Sequence, residues 1–475
     1  MTLSLASRSC YAGRVTQRHT DEVESLDPAS RRVLERAEAE GIELIRFLYT
    51  DHGGVTRGKA ASRSRLAERL RSGIGHTRAM MAMNMLDQLQ DVPGMGPVGE
   101  VRIVPDPATF VPLPYAPGAA AMLSDLRNQD GTPWEACPRA FLRDAVSALA
   151  EAGYTLMAAF EPEFTLGRRE PGDPVDRLVP IDDSLCYAAF GFDTVHDYTI
   201  RLVQALEAQG MRVEHVHPEL GHGQQELSIR HAPPLRAADN HVLYRETVRG
   251  VALRMSMWAS LAPKPIAEQA GNGAHLHLSL WDAEGRRELL SDGAGGLSET
   301  GRWFVGGLLA HLPALTALTC GTVNSFRRLA PRMWASSYVC YGPDNREAAV
   351  RVCSPLGSGV VNLELKPSDS SANPYLSLGA VIHAGLDGVR RRLDPGDPVE
   401  VDPDTLTEAE RHRLGLRRLP ASLDEALDAL TADEMLMEAL GPLRRTAYLA
   451  VKRSEAAAFA VQDEEFELFH HFRVF

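Results

Sequence analysis

Three apparent strands carry polar, ligand-forming residues at a spacing of two, so the apolar residues between them must face the other way. Glu161 and Glu163 share a face in FEPEF, as do His275, His277 and Ser279 in HLHLSL, and Asn362, Glu364 and Lys366 in NLELK. A fourth segment, VEHVHPELGHGQQELSIR, reads as two strands joined by a glycine-containing turn, with Glu219 and Glu226 on opposite arms. A solvated sheet face accounts for any one of these strands. Several in long apolar context point instead to a shared inward-facing polar surface. Glu161, Glu163, Glu219, Glu226 and Glu364 together with His275 would repel prohibitively in one cavity unless cations neutralised them. An oxygen-rich set with a single imidazole suits Mg²⁺ or Mn²⁺ rather than zinc or copper. NSFRRLAPR groups Arg327, Arg328 and Arg332, and DNREAAVR adds Arg346 and Arg351. Taken singly, each arginine reads equally well as solvated surface. Divalent metals with convergent guanidinium groups are the equipment of phosphoryl transfer. No Walker A sequence occurs, so ATP would have to lie on the sheet through its metals.

The elements that must position these groups fit a large globular chain. It has 475 residues, 44% apolar and 24% charged, which allows two or three domains or one large enzyme domain with an appendage. The formal net charge of −13 repels nucleic acid and anionic membrane, so neither is expected as a partner. The six cysteines are scattered without a CxxC pair, which suggests neither a zinc site nor a disulfide framework and favours the cytoplasm. No clean apolar run reaches 18 residues, and Val305 to Val323, interrupted by His311 and Pro313, reads as a buried helix. Residues 1–26 read as a flexible tail, and Asp27-Pro28 as the start of a helix ending at Gly41. Strands and turns follow to a boundary near residues 131–139, after which helix and strand alternate. The C-terminal part reads as helical, with capping boxes Ser422 to Glu425 and Thr431 to Glu434. No fixed-period repeat is visible.

From about residue 40 to the C-terminus the chain resembles the glutamine synthetase family. The resemblance rests on six ordered motifs: EPEF (161–164), HPELGHGQQE (217–226), AGNGAHLHLSL (270–280), NSFRRLAP (324–331), DNREAAVRV (344–352) and NLELKPSDSSANPYL (362–376). It implies an α+β chain with a small β-grasp-like domain over 27–135 and a large catalytic α/β domain over 136–475, whose antiparallel strands line a funnel. It also implies a homo-oligomer of stacked hexameric rings, commonly a dodecamer, with active sites between subunits. Carried over by position, Glu163, Glu219 and Glu226 would hold one metal and Glu161, His275 and Glu364 another. Glu214, His217, His277, Ser279 and Arg351 match nucleotide or phosphate contacts. Arg328 matches the arginine that grips the α-carboxylate of glutamate, Gly271 the backbone that meets its amino group, and Arg346 an arginine at the transferring phosphate. Lys366 falls beside the glutamate site. The implied chemistry converts the γ-carboxylate to an acyl phosphate with ATP, after which an amine displaces phosphate.

The departures bear on the amine. Where the flap of glutamine synthetases proper carries a glutamate that serves ammonium, this chain has Trp334. The Asp-Gly-Ser-Ser motif of the ammonium site is missing near MAMNMLDQLQ, where Asp87 is out of register. An indole offers an apolar wall and a cation–π face worth about 0.5–2 kcal/mol to an organic ammonium. Asn362 and Lys366 stand where the family commonly has arginines, and Lys366 keeps charge without the bidentate fork. The adenylylation tyrosine of regulated relatives maps to Arg417. The expectation is therefore an ATP- and Mg²⁺- or Mn²⁺-dependent carbon–nitrogen ligase of the γ-glutamylamide-forming branch. It would join glutamate to an organic primary amine such as ethanolamine, an alkylamine, a polyamine or an aniline. An ordinary glutamine synthetase and a non-catalytic homologue are the competing readings.

Overall fold

The computed structural model describes residues 25–172, 175–354 and 360–475, so most of the expected tail lies outside the described residues. Leu26, counted in that tail, is instead buried, because the helix that follows must cover its own entry. That helix, Pro28–Ala39, is capped by Asp27, whose carboxylate accepts from the backbone of Ala29 at 2.8 Å and Ser30 at 3.1 Å.

The chain forms two compact units. The first comprises residues up to Tyr49, Arg57–Thr77 and Glu100–Trp134, and the second comprises Thr50–Thr56, Arg78–Gly99 and Glu135–Phe475. In the first, β1 (Leu44–Thr50), β2 (Thr56–Ser62), β3 (Ile74–Thr77), β4 (Glu100–Pro105) and β6 (Ala119–Arg127) run in the order β2-β1-β6-β4-β3, and β5 (Val111–Pro112) pairs with β6. The β1–β6 pair is parallel, whereas β3–β4 and β4–β6 are antiparallel.

The second unit is built on a sheet that has nine strands among the described residues, in the order β14-β15-β16-β12-β7-β10-β9. These are β7 (Tyr154–Glu170), β9 (Val213–Pro218), β10 (Gln224–Ile229), β12 (Ala274–Asp282), β14 (Tyr341–Pro343), β15 (Val350–Cys353) and β16 (Asn362–Leu365); β8 (Arg177–Pro180) and β11 (Trp258–Ser260) also pair with β7. The expected antiparallel sheet needs one correction, since β14 pairs with β15 in parallel. Register does what the spacing of two requires: His275 faces Glu161, His277 faces Glu364, and Glu226 faces both Glu163 and His217. Those side chains therefore rise from one face, while Phe160, Leu276, Leu278, Leu363 and Leu365 are buried on the other.

Helices Pro138–Glu151 and Pro234–Arg254 pack on β7 behind that face. Helix Pro374–Arg391 lies against helix Glu299–Thr319, the apolar segment around Pro313, which is buried as expected. Gly307 sets that approach: a Cβ there would lie 2.2 Å from Ala384 O and 2.7 Å from Gly388 Cα. Near the C-terminus Ser422 caps Glu425 N at 3.2 Å, but the Glu425 carboxylate accepts from Ala421 N rather than closing the box. The Thr431 box does not form. Thr431 Oγ1 turns back to Leu427 O at 2.7 Å, and Asp433, whose carboxylate is the stronger acceptor, caps Leu436 N. Among the described residues no helix is long and apolar enough to cross a membrane.

Candidate active site

Two cavities open on the polar face of the large sheet and share Glu161 and His215 in their walls. The first, about 250 Å³, gathers Glu161, Glu163, Glu219, Glu226, His275 and Glu364 with His217, Gly271, Arg328, Trp334, Arg346, Arg351 and Lys366. The second, about 530 Å³, takes Glu214, His277, Ser279 and Asn362 beside Met157, Ile229, Leu278 and Trp281. The metal, nucleotide and glutamate residues expected from the sequence thus line one cavity or the other, whereas Arg327, grouped with Arg328 and Arg332 above, lines neither and pairs with Glu467 at 2.7 Å and Glu464 at 2.6 Å. His217 and Arg351, grouped above with nucleotide contacts, stand in the carboxylate-lined one.

The carboxylates are not equivalent. Glu163 is buried, accepting from Gln224 Nε2 at 2.7 Å and Gly273 N at 3.0 Å. Burial, reinforced by the charge of Glu219, still pushes it up to about 7. Glu226 is pushed up to about 10 by burial and by the carboxylates of Glu161, Glu163 and Glu219. At Glu364 burial also opposes ionisation, but His275, Lys366, His277 and Arg351 bring it down to about 2. Its ion pairs are with Arg351 Nε at 2.6 Å and Lys366 Nζ at 3.2 Å.

The donors that could hold a cation group somewhat differently from the sequence-based pairing. Ligand atoms of Glu161, His277 and Glu364 lie within 4.8 Å of one another, as do those of His215, His217 and Glu226. His275 is close as well, its Nδ1 3.2 Å from Glu364 Oε1 and 3.7 Å from Glu161 Oε2. His277 Nε2 lies 3.1 Å from Glu161 Oε2, while its Nδ1 meets Asn362 Oδ1 at 2.8 Å. Asn362, one of the two arginine replacements, thus orients an imidazole. His217 Nε2 meets Glu219 Oε1 at 3.0 Å, and the His215 and His217 rings stack with centroids 5.7 Å apart. His215 was not singled out from the sequence, although its spacing of two from His217 signals the shared face. A dication would relieve the crowding that drives the Glu226 carboxyl to about 10, and the carboxylates suit a hard one, although the face carries four imidazoles where the sequence led to the expectation of one.

At the other end of the first cavity Arg328 is 3% exposed and donates from Nη2 to Lys366 O at 3.0 Å and Ser368 O at 2.6 Å. Its buried Nε has no hydrogen-bond partner among the described residues. Gly271 lies against it, since a Cβ there would come within 2.4 Å of Pro263 O and 2.9 Å of Arg328 Cγ. A side chain at position 271 would push that backbone away from the arginine. The mouth is apolar and aromatic. Trp334 is 52% exposed and stands with Met333, Leu220 and Tyr187, the last bonded to Glu219 Oε1 at 3.4 Å. Tyr187 too was missed, for nothing in LCYAA sets it apart.

Comparison with known proteins agrees with this geometry. The family description "Glutamine synthetase, catalytic domain" matches residues 135–470, and "Glutamine synthetase N-terminal domain" matches residues 28–134. A gamma-glutamylpolyamine synthetase, GlnA3 of Streptomyces coelicolor, is 37% identical over 90% of this chain and 92% of its own length. The glutamine synthetase of Halobacterium salinarum is 33% identical over 93% of this chain and 96% of its own. Among solved structures, one described as a novel glutamine synthase homolog has a TM-score of 0.80 at 35% identity, covering 91% of this chain and 99% of its own. A GmaS/ADP complex reaches 0.81 at 31% identity, covering 92% and 98%. The chain belongs to the glutamine synthetase family of ATP-dependent ligases.

Proposed function

We propose that the protein ligates the γ-carboxylate of glutamate to a small organic primary amine through a γ-glutamyl phosphate, releasing ADP and phosphate. The observation that carries this reading is Trp334 at the mouth of the first cavity, where a carboxylate would serve ammonium; its neighbours there, Met333, Leu220 and Tyr187, offer carbon and aromatic surface. A relative at 37% identity whose name specifies polyamines supports the same reading.

In this reading Glu163, Glu219 and Glu226 hold one divalent cation and Glu161, His275 and Glu364 another, with His215 and His277 within reach. Mg²⁺ or Mn²⁺ there would supply positive charge to the phosphate oxygens. Glu214, His277 and Ser279 receive the nucleotide in the second cavity, and Glu161 and His215, shared by both walls, mark where its phosphates meet the acceptor substrate. Arg328, with its unpartnered Nε and a glycine beside it, grips the α-carboxylate of glutamate; Gly271 presents backbone to the amino group. Lys366 neutralises Glu364 at the glutamate end. His217 orients Glu219, while Arg351 and Arg346 stabilise charge on the transferring phosphoryl group. Leu185 and Phe190, exposed by 81% and 69%, support burial against a second copy in a ring assembly, and the domain division at residues 135/136 and a cytoplasmic setting belong to the same proposal.

Coupled ADP release across ammonia, ethanolamine, alkylamines, polyamines and anilines tests the reading. Turnover with one of the organic amines at a kcat/KM at least about tenfold above that with ammonia is expected. Strong turnover with ammonia and none with organic amines would make the protein an ordinary glutamine synthetase.

A further inference from the structure

The turn that carries Trp334 has an unusual backbone. Arg332, Trp334 and Ser336 all lie at positive φ, 61°, 54° and 65°, which residues with a Cβ adopt only where their surroundings enforce it. The enforcing contacts come from elsewhere in the chain. Glu347 Oε1 accepts the backbone N–H of Trp334 at 2.9 Å, and Asp404 Oδ2 pairs with Arg332 Nε at 3.1 Å. Glu347 is itself fixed, because its N–H donates to Asn345 Oδ1 at 3.0 Å and Asn345 Nδ2 donates to Val399 O at 2.8 Å and Val401 O at 3.0 Å. It directly follows Arg346, which lines the first cavity, whereas Glu347 lines neither cavity.

We propose that Glu347 is a positioning residue: by holding the Trp334 N–H it seats the indole at the amine end of the cavity and ties the flap to the segment that carries Arg346. The inference rests on the proposed function, in which Trp334 meets the amine. Burial raises the Glu347 carboxyl and the flap N–H groups of Trp334 and Arg332 work against that rise, as expected for an acceptor committed to the flap. Asp402 and Lys366 are the charged side chains that act on it most strongly.

Steady-state kinetics test this with whichever nucleophile the native enzyme turns over best, ammonia included. A failure of the organic-amine reading, visible in the native enzyme, is thereby separated from a failure of the flap anchor. Glu347→Ala should raise KM for that nucleophile about tenfold, the scale of one charge-assisted hydrogen bond, and leave KM for ATP and glutamate unchanged. Glu347→Gln keeps an acceptor oxygen and should recover most of that loss with an unaltered pH profile. In a Trp334→Ala background Glu347→Ala should add nothing, because the two changes break one unit. Gln as impaired as Ala with one limb of the pH profile lost would make Glu347 a proton acceptor and overturn the proposal. Equal rises in all three KM values, or additive losses in the double variant, would overturn it as well. Should Glu347→Ala not fold, Glu347→Asp takes its place: drawing the acceptor back by one methylene should raise the same KM in the native background and add nothing in the Trp334→Ala background, and additive losses would overturn the proposal.

Discussion

Two places among the described residues of the catalytic unit bury charge and manage it in opposite ways. In the helical layer Arg139 and Asp239, each with its side chain 3% exposed, meet as a fork at 2.9 and 2.8 Å, and Tyr375 donates to the same carboxylate at 2.7 Å. On the sheet face Glu161, Glu163, Glu219 and Glu226 crowd together, and the Glu226 carboxyl is pushed up to about 10. Charge that is fully paired belongs to the scaffold. Charge left in excess, where the fold had apolar alternatives, marks a place that receives a ligand of opposite sign.

The sharpest way to break that comparison is to remove charge from each place. Glu226→Gln should reduce metal-dependent ADP formation by about 10³-fold or more, since the proposed function makes it a metal donor. The same change should raise the melting temperature of metal-free protein at pH 7. The sign follows from a folded-state value above the ordinary 4.5: at pH 7 the unfolded chain ionises Glu226 while the metal-free fold must protonate it, a cost to folding that grows as pH rises above the unfolded-state value and that glutamine removes. Mn²⁺ should stabilise the native protein more than the variant, read by thermal denaturation with and without the ion. A variant that melted lower without metal would mean that Glu226 is scaffold after all.

Arg139→Ala should do the reverse and destabilise by about 3–5 kcal/mol, because Asp239 is stranded without its cation in the helical layer. Replacing both partners, Arg139→Met with Asp239→Leu, should recover much of the loss in chemical denaturation, since no charge is then left buried. Metal dependence should be unaffected in either variant.

The two places were also unequally legible in the sequence. The sheet face could be read because a strand repeats every two residues, so Glu161 with Glu163, or His275 with His277, declare a common side without knowledge of the fold. Position along the strands was harder. Cross-strand register decides that His277 comes within 3.1 Å of Glu161 and that His215 joins His217 and Glu226, and register depends on contacts between distant segments. Arg139 and Asp239 are 100 residues apart on two helices, and neither has a neighbour in the sequence that foretells the pair. The flap was half legible: Trp334 stood out against a family pattern, but Glu347, which accepts its N–H across 13 residues, looked like one more charge in DNREAAVRV.

The smallest effect concerns a third buried group, intermediate between the two. His311, on the buried helix Glu299–Thr319, meets Asp433 Oδ2 at 2.6 Å through Nδ1 and Asp387 Oδ2 at 3.0 Å through Nε2, while Arg391 pairs with the same Asp387 oxygen at 2.9 Å. Burial works against its protonation, but the hydrogen bonds and charges of Asp433 and Asp387 outweigh it and raise the imidazole above its ordinary 6.5. A raised histidine stabilises the fold in full below the unfolded-state value near 6.5, and that contribution is lost as pH climbs through the higher folded-state value. Native stability should therefore fall with rising pH from about 6.5 upward relative to His311→Asn, whose curve should lack that slope, in denaturant titrations across pH 6 to 9. The link has a local consequence that the Thr431 capping box would not have produced. Asp433 also caps helix Glu434–Leu440 through Leu436 N, so loss of the imidazolium should loosen that helix first, as earlier amide exchange at its N-terminus. Parallel slopes for the native protein and His311→Asn would place His311 among the neutral, structural histidines and leave the two charged places as the only contrast.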